Sequence, residues 1–199
     1  MIWRALVTFI AYWFVRARGY KSWSNIYRWL YERRFRDVKL STFAALKLLP
    51  PFMRNGKLWV SDTWRQLWDA VSSPQYVQQV FANVEPVPVH GFDCDEHAVF
   101  LVAAIQKSIA TGTMKEPIAS VRFFTVTWFE GLRICGHNSC LLEWSDRTFS
   151  FMDYHSPSRR CASVQEVADL VRSSYSEAAI PMTWCVQSLD LTPELSHWG

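Results

Sequence analysis

The stretch Gly91-Phe92-Asp93-Cys94-Asp95-Glu96-His97 sets a cysteine among carboxylates just before an apolar run, Ala98 to Ile105. Asp93 suits a helix N-cap, and Glu96 three residues on completes a capping box. Cys94 then takes the first helical position. Backbone N–H groups and the positive end of the helix dipole stabilise a thiolate there. Asp93, Asp95 and Glu96 oppose that charge. A cation from elsewhere in the chain is therefore needed to activate the sulfur, and a histidine is the side chain that supplies one.

The second stretch runs Ile134-Cys135-Gly136-His137-Asn138-Ser139-Cys140-Leu141-Leu142-Glu143-Trp144. Ser145-Asp146-Arg147 follows as a turn signal, then Thr148-Phe149-Ser150-Phe151-Met152-Asp153-Tyr154. Two strands around a short turn are expected. A hairpin centred on residue 145 places His137 opposite Asp153, and directly opposed residues share a face. A carboxylate beside an imidazole fixes its tautomer and stabilises its cation. The expected site is therefore Cys94 as nucleophile, His137 as base and Asp153 as the residue that orients His137.

Asp93-Cys94-Asp95-Glu96-His97-Ala98, Gly136-His137-Asn138-Ser139-Cys140-Leu141-Leu142 and Phe151-Met152-Asp153-Tyr154 together resemble the transglutaminase-like cysteine peptidase superfamily. The resemblance is nearest to the bacterial transglutaminase-like cysteine proteinases. Their pattern is Gly-Asp-Cys, two acids, an aromatic and Ala, then a strand His, then a strand Asp. It covers roughly residues 60–155. Phe92 stands where the family has Gly, and His97 where it has an aromatic. The resemblance implies a papain/transglutaminase-like α+β core, with the nucleophile helix packed on an antiparallel sheet. It also implies thiol-dependent acyl transfer on an amide, most simply hydrolysis of a peptide or isopeptide bond. The substrate would be a protein or a peptidoglycan stem peptide. Some relatives hold calcium through acids flanking the cysteine, which map onto Asp93 and Asp95 here; the expectation is that no cofactor is needed. The competing class is a catalytically silent member of the fold that acts as a binding or assembly module.

Other readings of the same residues stand beside this one. His97, one turn from Cys94, reads as structural, and His155 is a fallback base on the Asp153 strand. Cys94-x-x-His97 and Cys135-x-His137 offer two pairs of zinc ligands. A tetrahedral intermediate needs two donors. The Cys94 N–H is one; Gln78, Gln79, Trp59, Trp64 and Trp68 are candidates for the second. The five cysteines are odd in number and irregularly spaced, so a disulfide framework is not expected and a reducing compartment fits; the lack of any CxxC removes the usual zinc-ribbon and thioredoxin readings. Cys140, Cys161 and Cys185 read as buried small hydrophobes.

These residues need elements to hold them. Residues 121–129 (VRFFTVTWF) are an expected strand before the hairpin, 163–174 a helix opened by Ser163-x-x-Glu166, and 182–189 a further strand. Helix, three antiparallel strands, helix and strand make an α+β domain. Its expected range is 56–199, behind an extension over 1–55, with Pro50-Pro51 near the boundary.

That extension is basic, aromatic-rich and expected to be helical over 5–15, 24–36 and 40–49. Residues 1–50 hold ten Lys/Arg and two acids (+8), against eleven Lys/Arg and sixteen acids in 51–199 (−5), which sum to the net +3 of the chain. The eleven-residue run 5–15 is short of the roughly 20 apolar residues a membrane span needs. It reads as a core-packing helix, an interfacial anchor or a secretion signal. Docking to a membrane surface or a protein through residues 1–36 follows from this composition, whereas no nucleic-acid module is recognisable. The expected location is cytoplasmic or membrane-associated, with secretion left open. Half the residues are hydrophobic, which excludes a disordered or collagenous chain.

Overall fold

A computed structural model describes residues 74–81, 93–130, 133–153, 157–175, 182–189 and 192–198. The expected helices at 5–15, 24–36 and 40–49, the boundary at 55/56, Trp59, Trp64, Trp68 and His155 lie outside the described residues. The described part is α+β. Helix α1 spans Pro74–Phe81, α2 Cys94–Ala110 and α3 Val164–Tyr175; strands β1 to β5 span Ile118–Glu130, Arg133–Trp144, Phe149–Met152, Met182–Gln187 and Pro193–Trp198. All strand pairs are antiparallel, in the order β3-β2-β1-β4-β5. No described helix is long and apolar enough to cross a membrane.

Helix α2 begins at Cys94, as its capping box requires: the Asp93 N–H donates to Glu96 Oε2 at 3.0 Å. It ends where Gly112 turns left-handed (φ 64°), after Thr111 N–H has bonded the Lys107 carbonyl. Helix α2 is buried on most of its circumference, since α1 packs on it as well as the sheet.

The sheet is covered on both faces. Ala98, Val99, Leu101, Val102 and Ile105 of α2 pack with Val121, Phe123, Cys140, Leu142 and Met152. Val167, Ala168 and Val171 of α3 pack with Phe124, Val126, Trp128, Leu141, Phe151 and Trp184 on the other side. Strand β1 shows why the pattern is not a simple alternation. Phe123 and Phe124 are both buried because each faces a different helix layer.

The β2–β3 turn differs from the expected one by a single position. Trp144 N–H bonds the Thr148 carbonyl, Arg147 takes φ 65°, and the pairs Cys140↔Met152 to Glu143↔Phe149 centre on residue 146 rather than 145. The physical reason is a three-residue turn with a left-handed third residue. Asp146 stabilises it by accepting from the Thr148 N–H and hydroxyl. Asp153 therefore follows the last residue of β3, and continuing the register sets it against Ser139 instead of His137. Because side chains alternate with period two, Ser139 and His137 share a face and Asp153 stays on it.

Two elements were not anticipated. Helix α1 is short, and β5 (PELSHW) begins on proline and carries an acid, which suits an edge strand more than the pattern of a core one.

Candidate functional site

Strand β2 carries the functional side chains alternately to the two faces. Asn138 pairs with Thr125, and its side chain reaches the α2 face. There its Nδ2 donates to Asp95 Oδ1 at 3.2 Å, and the Thr125 hydroxyl donates to Asn138 Oδ1 at 2.7 Å. Cys94 Sγ lies 3.4 Å from the same Asp95 Oδ1. Asp95 is buried, and Cys94 is half-buried. A chain of polar contacts thus runs from β1 through Asn138 to the first turn of α2, tying the cysteine end of the helix to the middle of the sheet.

His137 pairs with Val126, so it faces the α3 layer. Its Nε2 is 3.1 Å from Asp153 Oδ2, and both side chains are buried. Nε2–H facing a carboxylate is the donor arrangement, which leaves Nδ1 as the nitrogen that would take a proton. Tyr175, the last residue of α3, donates its hydroxyl to the same Asp153 oxygen at 2.7 Å. Its ring lies over the His137 ring, with centroids 4.1 Å apart and planes 30° apart. Sequence reasoning missed both Tyr175 and Asn138. Asn138 carried a signal in its position beside His137; Tyr175 carried none, because helix α3 meets the pair only in the folded chain.

Of the three expected site residues, His137 and Asp153 are brought into direct contact. Cys94 opens the helix on the other face and is joined to the neighbouring residue Asn138 through Asp95. The two groups reach the same point of β2 from two sides. Described pairing between β3 and β2 stops at Cys140↔Met152, so among the described residues no strand lies beside His137 and Asn138 on that edge.

The other cysteines differ sharply from Cys94. Cys140 donates its thiol to the Met152 carbonyl at 3.1 Å, and burial, then the charge of Asp153, push its pKa far up. Burial pushes the Cys185 thiol up to about 12, and it raises that of Cys161 as well. These three thiols are poor nucleophiles, as expected for buried small hydrophobes. Cys135 is half-buried, and being two residues from His137 it shares the α3 face.

The zinc arrangement is not present among the described residues. Their one group with ligand atoms close enough for a metal is Asp93, Cys94 and Asp95, within 4.8 Å of one another; it includes none of His97, Cys135 and His137. This group does not fit calcium, which takes 6–8 oxygens, because it offers two carboxylates and a soft sulfur. Gln78 and Gln79 lie on α1.

The chain matches no family model, no curated protein and no solved structure.

Proposed function

We propose that the protein carries out thiol-dependent acyl transfer on an amide bond, most simply as a peptide or isopeptide hydrolase of the transglutaminase-like kind. The buried His137–Asp153 contact, one residue along β2 from the side chain that holds the Cys94 end of α2, carries this reading. A histidine buried against a carboxylate on a sheet face has its tautomer and ring orientation fixed. The reading requires Cys94 Sγ and His137 Nδ1 to meet around the β2 edge where β3 has ended.

His137 Nδ1 takes the thiol proton as Cys94 Sγ bonds to the substrate carbonyl carbon. The C–N bond breaks, and the leaving amine takes the proton from His137, which leaves a thioester. Water attacks the thioester carbon and gives its proton to His137, and the acid departs as the thiol is restored. The N–H of Cys94 is the first oxyanion donor. A protein or a peptidoglycan stem peptide fits as substrate, and residues 1–36, basic and aromatic, fit a membrane or protein surface.

A second reading has an observation of its own. Cys135 shares a face with His137, so it competes with Cys94 as the thiol that His137 serves.

The test is the pH dependence of iodoacetamide alkylation, mapped by peptide mass spectrometry in the wild type and in His137→Ala. A free cysteine titrates near pH 8.5, and a histidine-paired one reacts well below that. Fast alkylation of Cys94 at about pH 6 that His137→Ala removes supports the first reading. The same behaviour at Cys135 supports the second. A profile near 8.5 at both thiols sinks both and leaves a binding module as the function.

A further inference from the structure

We propose that Tyr175 is a positioning residue for the His137–Asp153 pair: its hydroxyl holds the carboxylate and its ring covers the imidazole. This rests on the reading of His137 as base and Asp153 as its orienter.

Three observations converge on Tyr175. Its hydroxyl donates to Asp153 Oδ2 at 2.7 Å, the same oxygen that faces His137 Nε2 at 3.1 Å. Its ring stacks on that of His137. It is 46% exposed, whereas His137 is 5% and Asp153 7% exposed. The last contrast separates positioning from packing. A residue kept for the core would be buried and would need no hydroxyl. Tyr175 instead stands between the pair and solvent, with its polar atom on the carboxylate.

The physical effect has two parts. A buried carboxylate needs hydrogen-bond donors, and two donors on one oxygen fix its rotation about the Cβ–Cγ bond. That fixes where the imidazole must lie to bond it. The ring then keeps water from the Nε2–H···Oδ2 bond, and a hydrogen bond held in a lower dielectric is the stronger for it. Both contacts come from the last turn of α3, so the docking of that helix sets the geometry of the pair.

The test uses the full chain and reads the His137 Nε2–H proton directly by NMR in water. The signal is assigned by its loss in His137→Gln. A shielded N–H on a carboxylate is expected as a resolved downfield signal in the wild type. Tyr175→Phe keeps the ring and removes the hydroxyl. With the carboxylate no longer held by a second donor, the His137 N–H should shift and exchange about tenfold faster, a change equivalent to about 1.4 kcal/mol. Tyr175→Leu removes both contacts, and the signal should broaden into water. Alkylation of the histidine-dependent thiol at pH 6 should slow by a similar factor in Tyr175→Phe.

Two results overturn the proposal: no downfield N–H signal in the wild type, or an exchange rate unchanged in Tyr175→Phe. Tyr175→Phe carries the test alone if the leucine variant does not fold. A failure of the functional reading shows elsewhere, as alkylation that ignores His137, and does not affect the N–H measurement.

Discussion

At the scale of the residue, the site depends on one carboxylate oxygen. Asp153 Oδ2 is bonded from His137 Nε2 and from the Tyr175 hydroxyl, in a place where an ionised carboxylate needs both. Asp153→Asn keeps the shape and removes the charge. The amide can no longer hold the Nε2–H tautomer as a carboxylate does. Alkylation of the histidine-dependent thiol at pH 6 should therefore fall by on the order of tenfold or more, toward the larger losses that a wrong tautomer causes in hydrolytic triads. An unchanged rate would remove Asp153 from the site. Neighbouring Cys140 belongs to the same electrostatic setting, since the charge of Asp153 is one cause of its raised pKa. That charge helps keep the buried Cys140 thiol protonated.

At the scale of the element, the hairpin between β2 and β3 decides where Asp153 falls. Arg147 adopts φ 65°, a left-handed conformation that costs a residue with a Cβ roughly 1 kcal/mol. The guanidinium of Arg147 meets Glu143 at 3.1 Å, but Arg147 is largely solvent-exposed, and such a pair contributes at most about 0.2–1 kcal/mol. Arg147→Gly should therefore stabilise the protein by about 0.5 kcal/mol, read as a higher urea midpoint with the same slope. A lower midpoint would mean that the ion pair outweighs the backbone strain. The capping box at Asp93 and Glu96 has the corresponding role on the other side of the sheet, because it starts α2 at Cys94 rather than a residue earlier or later.

At the scale of the whole molecule, a sheet covered on both faces encloses Cys140 and Cys185. Burial holds the Cys185 pKa at about 12, above its ordinary value near 9, and pushes that of Cys140 up as well. Both folded values are raised, so the stability each thiol contributes is complete below pH 9 and is lost as pH climbs toward the folded value. As pH rises from 9, each should therefore lower stability, by on the order of 1 kcal/mol per pH unit. Urea midpoints at pH 7.5, 9 and 10.5 check this, and Cys185→Ala should show the shallower alkaline decline; an equal slope in both proteins would contradict the burial of Cys185.

The same two-sided architecture marks what the sequence by itself determined. The capping box and apolar run were enough to start α2 at Cys94, and the alternation around Ser145-Asp146-Arg147 was enough for a hairpin carrying His137 and Asp153. These are local properties, set by hydrogen bonds and side-chain periodicity within a few residues. The stacking of Tyr175 on His137 and the link from Asn138 to Asp95 were decided only by tertiary structure. The physical reason is that each joins residues from separate elements. Tyr175 is 22 residues from Asp153, and Asn138 is 43 from Asp95; their contact depends on which face of the sheet each helix covers, a choice made by the packing of the whole core.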